Sequence, residues 1–355
     1  YTIHFIQPGK GIMNNKIGEI KNQTEALLIF EYLLDEFYDS HLHLKSNNNF
    51  SYRLYSPVYV SASQNEYTIS SYWKDQLNNK IGINLINAKI LTFNGVAFNQ
   101  LIENFPTHCQ NKNNIEVKGW IANKVLAGRR NESRIITVKT VKGDIKTLDI
   151  DKLTLRKDST LLSYKIIDDI GIIRINNSLS ERKTKRAFKK ALNDLKDTNG
   201  ILLDLRNTVD GGSTNIANPI VGHFTAKKKP FQKYKNSKTE FVDHIKPIDP
   251  KYDKPLIVLV GRWTGSMGEG MASGIDGSGI GKVIGTEMQK LAGATKDYNF
   301  TYLTYKYQAP YIEVLHISGL QREKFVPKVE VICDDSNEDE FLKEGIRMIK
   351  QLTSH

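Results

Sequence analysis

The sequence predicts a mixed α/β (α+β) protein, with an α/β layer domain in the C-terminal half behind a helical start and a β-rich module. Three observations lead there. From Ser163 onward, apolar strand-like runs alternate with helix-like segments, the order of a layered α/β domain. Between residues 51 and 156, short runs rich in aromatic and β-branched types are separated by turn residues. The chain has 355 residues, 39% of them hydrophobic and 25% charged, enough for two or three domains and a sizeable core.

Along the chain, Gln23-Thr24-Glu25 followed by Ala26 to Leu34 predicts a capped amphipathic helix with Thr24 as the cap. Ser40-His41-Leu42-His43-Leu44 alternates like a short strand, which puts His41 and His43 on one side. Tyr52 to Val60 predicts a strand, and Lys89 to Phe93 a second one ending at an Asn94-Gly95 turn. A short helix is expected over Asn99 to Asn104. Ser133 to Val141 and Ile145 to Ile150 form strands around a Lys142-Gly143-Asp144 turn. In the second half, strands are expected at 171–175, 200–205, 255–260 and 282–285, with helices at 180–195, 215–224 and 266–276. The helix at 180–195 carries a strongly basic face. The expected organisation is an N-terminal segment over residues 1–79, a β-rich module over 80–156 and a core domain over 157–355.

The net charge is +11, but Lys and Asn are abundant throughout and no recognition motif accompanies the charge, so nucleic acid is not an expected partner. Cys109 and Cys333 form no CxxC pair, so no metal site is expected. No run approaches the roughly 18 apolar residues of a membrane span. No Gly-x-x-x-x-Gly-Lys-Ser/Thr loop is present, which argues against nucleotide binding, and no cofactor is expected.

Two glycine-rich turns suggest chemistry. Gly261 to Gly270 follows an apolar strand and precedes a helix, with Ser266 at the junction. A serine there sits at the positive end of a helix dipole beside unpaired N–H groups, where a nucleophile and an oxyanion are both favoured; a simple serine N-cap gives the same pattern. Asp204-Leu205-Arg206-Asn207-Thr208-Val209-Asp210-Gly211-Gly212 also follows an apolar strand, and its glycines present further backbone N–H groups. Histidine is the usual general base for a serine, but nothing in the residue chemistry alone selects one of the eight.

Together these segments resemble the C-terminal-processing (tail-specific) peptidases and the core peptidase of tricorn protease. That family has an Asp-Leu-Arg-x-Asn-x-Gly-Gly loop, matched here by Asp204, Leu205, Arg206, Gly211 and Gly212 with one extra residue. It also has a Ser-x-x-Glu turn, matched by Ser266 and Glu269. The resemblance covers about residues 163–335 and implies a crotonase-like, ClpP-type fold, a polypeptide substrate and a serine endopeptidase acting through an acyl-enzyme. Tail-specific members place a lysine 25 residues after the serine in a Thr-Phe-Gly-Lys-Gly turn. Here that position is Leu291, with Lys290 beside it. Tricorn-like members use a histidine from a Ser-His segment with a downstream glutamate, which Ser40-His41 and Glu323 resemble.

The resemblance therefore implies His41 as base, Glu323 and Ser40 as its support, and the N–H groups of Met267 and of Gly211 or Gly212 as the oxyanion site. His43 and Lys290 are the alternative bases. Ala88 to Val96 resembles the element of PDZ domains that ends in an Ile-Asn-Gly turn, which implies a PDZ-like module. Family habit, and a chain that begins at Tyr1 rather than Met, lead to the expectation of an exported protein. The competing readings are a non-catalytic ligand- or peptide-binding protein on the same fold, and a Ser-Lys dyad peptidase using Lys290. An acyl-CoA enzyme of the crotonase type has no signature here.

Overall fold

A computed structural model describes residues 18, 20–46, 48–64, 66–73, 83–107, 109–153, 158–176, 178–301, 305–332 and 339–354. Cys333 lies outside them. The chain divides into two compact units, Tyr1–Arg156 with Lys296–Ala309, and Lys157–Thr295 with Pro310–His355.

In the first unit, helix α1 (Gln23–Asp35) starts at Asn22 rather than at Thr24. The Asn22 carboxamide oxygen accepts from the Glu25 N–H at 3.0 Å, and its NH2 donates to the Glu25 carboxylate at 2.9 Å, satisfying groups that helix geometry leaves orphaned. Strand β1 covers only His43–Lys45. Ser40 and His41 therefore lie in the turn before it, and the expectation that His41 and His43 share one side of a strand does not apply. Strands β2 (Val58–Ser63) and β3 (Glu66–Tyr72) follow, so the strand expected at 52–60 begins six residues later, with Tyr52 making only a single bridge to Arg129.

Next come β4 (Lys89–Phe93), β5 (Val96–Ala97), helix α2 (Phe98–Glu103), helix α3 (Ile115–Ala127), β6 (Ile135–Lys139) and β7 (Ile145–Asp149). The antiparallel sheet runs in the order β2-β3-β4-β6-β7. The β-rich module thus takes in β2 and β3, from before residue 80. Its core gathers Ile69, Phe98, Ile121, Leu126 and Ile136. Edge strand β2 carries a side-chain plug: the Asn123 carboxamide, from α3, accepts from the Val60 N–H and donates to the Val60 carbonyl, both at 2.9 Å.

In the second unit, the elements are β8 (Leu162–Ile167), β9 (Ile170–Ile175), α4 (Lys183–Asp194), β10 (Ile201–Asp204), α5 (Thr214–Gly222), β11 (Lys229–Lys235), β12 (Glu240–Ile245), β13 (Leu256–Val260), α6 (Met267–Ser278), β14 (Lys282–Gly285), β15 (Ala294–Asn299), β16 (Lys306–Leu315), β17 (Val329–Glu330) and α7 (Glu340–Thr353). The last residues of β15, from Lys296, and the first residues of β16 belong to the first unit, where Lys306–Gln308 pair with β1. Its last residues pair with β11 in the second unit.

The central sheet has the order β17-β14-β13-β10-β9-β8, parallel except for the antiparallel edge strand β8. Its inner strands β10 and β13 are buried throughout because both faces are covered there. Leu203, Val258 and Ile173 pack beneath Phe188 of α4, Ile220 of α5 and Met271 of α6. Leu202, Ile257, Leu259 and Ile172 face Met348 and Ile349 of α7. Since β10 and β13 are parallel neighbours in register from Ile201↔Leu256 to Asp204↔Leu259, the loops that follow them leave the same edge of the sheet. Ligand sites of open α/β sheets form at that edge.

Candidate active site

The loop after β13 turns sharply into α6, and Ser266 is the pivot. Its φ is +46° and ψ −104°, a conformation that costs a non-glycine residue about 1–3 kcal/mol. Several bonds hold it. The Ser266 N–H donates to Glu269 Oε2 at 2.8 Å, the Gly270 N–H to the Ser266 carbonyl at 3.0 Å, and the Gly268 N–H to the Gly265 carbonyl at 2.8 Å. From Trp263 to Ile275, Ser266 is the single residue that is not buried.

The β10 loop closes against this turn. Its first part is structural. Asp204 is buried and grips Arg206, whose guanidinium donates to both Asp204 oxygens, at 2.9 and 2.7 Å, and to both oxygens of Asp339, at 2.8 and 2.9 Å. Burial alone would raise the Asp204 carboxyl, but the Arg206 charge outweighs it and holds the group below its ordinary range. Asp339 also caps α7 by accepting from the Leu342 N–H at 3.2 Å. The Asp-Leu-Arg triplet therefore ties β10 to the helix beneath the sheet.

The extra residue of this loop is taken up in a turn in which the Gly211 N–H donates to the Thr208 carbonyl at 3.1 Å. The same carbonyl accepts from the Gly265 N–H at 3.2 Å, joining the two loops. Gly211 has φ +64°, and a Cβ there would lie 2.5 Å from Ser266 Cβ, 3.1 Å from its Oγ and 3.2 Å from the Met267 nitrogen. Gly212 has φ +151°, and a Cβ on it would meet the Leu179 backbone at 2.4 Å.

The backbone donors differ in availability. Met267 is the first residue of α6, so its N–H has no intrahelical acceptor and lies at the positive end of the helix. The Gly211 N–H is already engaged with Thr208, whereas no backbone acceptor is found for the Gly212 N–H among the described residues.

Glu269 is fully buried beneath the turn. Besides the Ser266 N–H, it accepts from the Lys290 N–H at 2.8 Å and the Leu291 N–H at 3.3 Å. Burial raises its pKa to about 7, against the opposing pull of the Arg322 charge and these backbone donors. Arg322 is buried too, and donates to the carbonyls of Leu291 at 2.6 Å and Gly293 at 2.7 Å. Arg322, Thr208 and Gln289, whose amide donates to the Val209 carbonyl at 3.3 Å, support the turn without any spacing signal in the sequence.

Lys290 uses its backbone here, not its side chain. Its ammonium lies 2.6 Å from Glu287 in an ion pair in which both side chains are about half exposed. That is the reverse of the desolvated setting in which a lysine becomes a base near neutrality. Glu323 sits half-buried in a 3-10 turn, Arg322–Lys324, and makes no ion pair among the described residues.

The remaining candidates lie in the first unit. His41 is buried. Its N–H donates to Asp39 Oδ1 at 2.9 Å and its carbonyl accepts from the Gln308 amide at 3.3 Å. His43 Nδ1 lies 3.0 Å from the carbonyl of Ser40, an exposed residue, so Nδ1 carries the proton in the neutral ring. Burial pushes the His43 pKa down to about 4.

Three comparisons with known proteins bear on this site. Residues 169–313 match the family model described as Peptidase family S41. No curated protein matches by sequence. Among solved structures, mature CPAF complexed with lactacystin aligns with a TM-score of 0.61 at 11% identity, covering 96% of this chain and 90% of that one. The photosystem II D1 C-terminal processing protease aligns at 0.55 and 13% identity, covering 93% and 87%. These likenesses indicate a shared crotonase-like, ClpP-type fold.

Proposed function

We propose, on the match of residues 169–313 to peptidase family S41, a polypeptide-cleaving serine-type endopeptidase with Ser266 as its nucleophile. The observation that carries this reading is the contact between the two loops. Ser266 is the one residue from Trp263 to Ile275 that is not buried, and Gly211 comes so close that no side chain fits between them.

In the proposed sequence Ser266 Oγ attacks the substrate carbonyl carbon while His41 takes the hydroxyl proton. The C–O π pair moves to oxygen, and the oxyanion is held by the N–H groups of Met267 and Gly212. As the C–N bond breaks, the imidazolium returns its proton to the leaving amine. A water, deprotonated by His41, then attacks the acyl carbon, and the imidazolium gives that proton to Ser266 Oγ as the ester bond breaks. Glu323, with Ser40, supports the imidazolium. His41 is preferred to His43 because a ring whose pKa lies near 4 is a weak base at neutral pH. Lys290 is disfavoured by its exposed ion pair with Glu287.

The first unit's β-rich module is read as PDZ-like, taking polypeptide C-termini by strand addition at β2. A strand joining there has to displace Asn123 from Val60. On family habit the enzyme is read as an exported one.

Casein hydrolysis by wild type and by Ser266→Ala, His41→Ala, His43→Ala and Lys290→Ala tests the assignment. Ser266→Ala and His41→Ala are expected to lose at least about 10³-fold in kcat/KM. Undiminished activity in Ser266→Ala sinks the nucleophile. Loss in Lys290→Ala alongside an active His41→Ala replaces the base by the lysine.

A further inference from the structure

The positive charge of this chain is not spread evenly in space. Six of the nine residues from Arg182 to Lys190 are cationic: Arg182, Lys183, Lys185, Arg186, Lys189 and Lys190. At 100° per residue they fall within an arc of roughly 160° on α4 and span about 12 Å along its axis. Thr184, Phe188, Ala191 and Leu192 fill the opposite side and are buried. Lys190 is paired with Asp194 at 2.8 Å, but among the described residues the other five have no carboxylate partner.

Beside the helix, edge strand β8 leaves Ile166 55% exposed and Tyr164 37% exposed. Tyr164 reaches α4 through its hydroxyl, 2.5 Å from Asp194. These two residues share a strand face with Leu162, which packs in the same core as Phe188.

We propose that this face of α4, with Ile166 at its flank, docks the protein reversibly on an anionic phospholipid surface. A cationic arc next to an exposed aliphatic side chain is the chemistry that holds peripheral proteins at charged bilayers. The face is the convex side of a helix whose backbone groups are satisfied internally. It offers no groove in which a peptide could bury an apolar side, and the exposed aliphatic Ile166 at its flank suits an acyl-chain boundary. A planar array of lipid phosphates can meet the five cations that have no carboxylate partner among the described residues. No helix among the described residues is long and apolar enough to cross a membrane.

Sedimentation of the full chain with phosphatidylcholine vesicles, with and without phosphatidylglycerol, at low and high salt, tests this. Wild type should bind the anionic vesicles only, and release in high salt. The quadruple variant Arg182→Glu, Lys185→Glu, Arg186→Glu, Lys189→Glu should lose about 100-fold or more in partitioning. A control with the same change in net charge, Lys227→Glu, Lys228→Glu, Lys235→Glu, Lys238→Glu, should stay within a few-fold of wild type. Unchanged casein hydrolysis by the α4 variant shows that its fold is intact.

Failure of wild type to bind anionic vesicles overturns the proposal, as does equal loss in the variant and the control. So does tighter binding of a polyglutamate peptide than of anionic vesicles through the same four residues, which makes the face a site for acidic polypeptides. None of these outcomes bears on Ser266, so this inference and the peptidase mechanism fail separately.

Discussion

Glu269 offers a test of the turn beneath Ser266 that does not depend on knowing a substrate. Its carboxylate is fully buried and its pKa is raised to about 7 by that burial. For an acid whose folded pKa lies above its unfolded value, the folded state holds a proton that the unfolded state has lost. Stability therefore falls as pH rises from the unfolded pKa, near 4.5, to the folded pKa, near 7, and changes no further above that. Between roughly pH 5 and pH 8 the loss comes to about 2.5 kcal/mol, at about 1.4 kcal/mol for each tenfold difference in proton affinity.

Glu269→Gln removes the titration. It also sets an NH2 against the donors from Ser266 and Lys290, which lowers stability by an amount that does not vary with pH. Trp263 is the one tryptophan of the second unit, so urea unfolding followed by its fluorescence in a Trp73→Phe, Trp120→Phe background reports on the right region. The parent should lose about 2.5 kcal/mol more than the Gln variant between the two pH values. Parallel pH dependences would refute the placement of Glu269 as a buried acid titrating near neutrality.

Other perturbations give sharper local readouts. Gly211→Ala forces a Cβ to 2.5 Å from Ser266 Cβ at a positive φ, and is expected to lower kcat/KM on casein at least about tenfold while circular dichroism stays unchanged. Arg206→Met leaves Asp204 buried without its cation, and should cost about 3–5 kcal/mol in urea unfolding of the second unit. The His43 ring should titrate by NMR with a midpoint near pH 4. A midpoint near 6.5 would remove the reason for preferring His41. Asn123→Ala strips Val60 of both partners, so it should cost about 1–3 kcal/mol in the first unit and tighten binding of C-terminal peptides measured by calorimetry; unchanged peptide binding counts against strand addition at β2.

Much of the second unit was legible in its sequence because local patterns and tertiary packing agree there. The runs at 171–175, 200–205, 255–260 and 282–285 become β9, β10, β13 and β14, since a strand buried on both faces must be apolar throughout. The first unit was less legible. Helix α3, over Ile115–Ala127, has no clear amphipathic period to announce it, although Asn114 caps it and Gly128 ends it. Within the second unit, strands β11 and β12, and β16 where it enters that unit, were no more legible, because Lys, Tyr and Glu fall in them with no clear period. Asn22 displaced Thr24 as a cap because its carboxamide both accepts from and donates to Glu25.

The sequence by itself determined the two glycine-rich loops, the serine between them and the glutamate three residues on, because turn chemistry and capping act over a few residues. The tertiary structure alone decided the rest. Parallel pairing of β10 with β13 brings residues 55 positions apart, Gly211 and Ser266, into contact. Burial, a property of the packed chain and not of the residue, raises Glu269, depresses His43 and leaves Lys290 outside in an exposed ion pair. Helix geometry, likewise, gathers dispersed cations onto one face of α4.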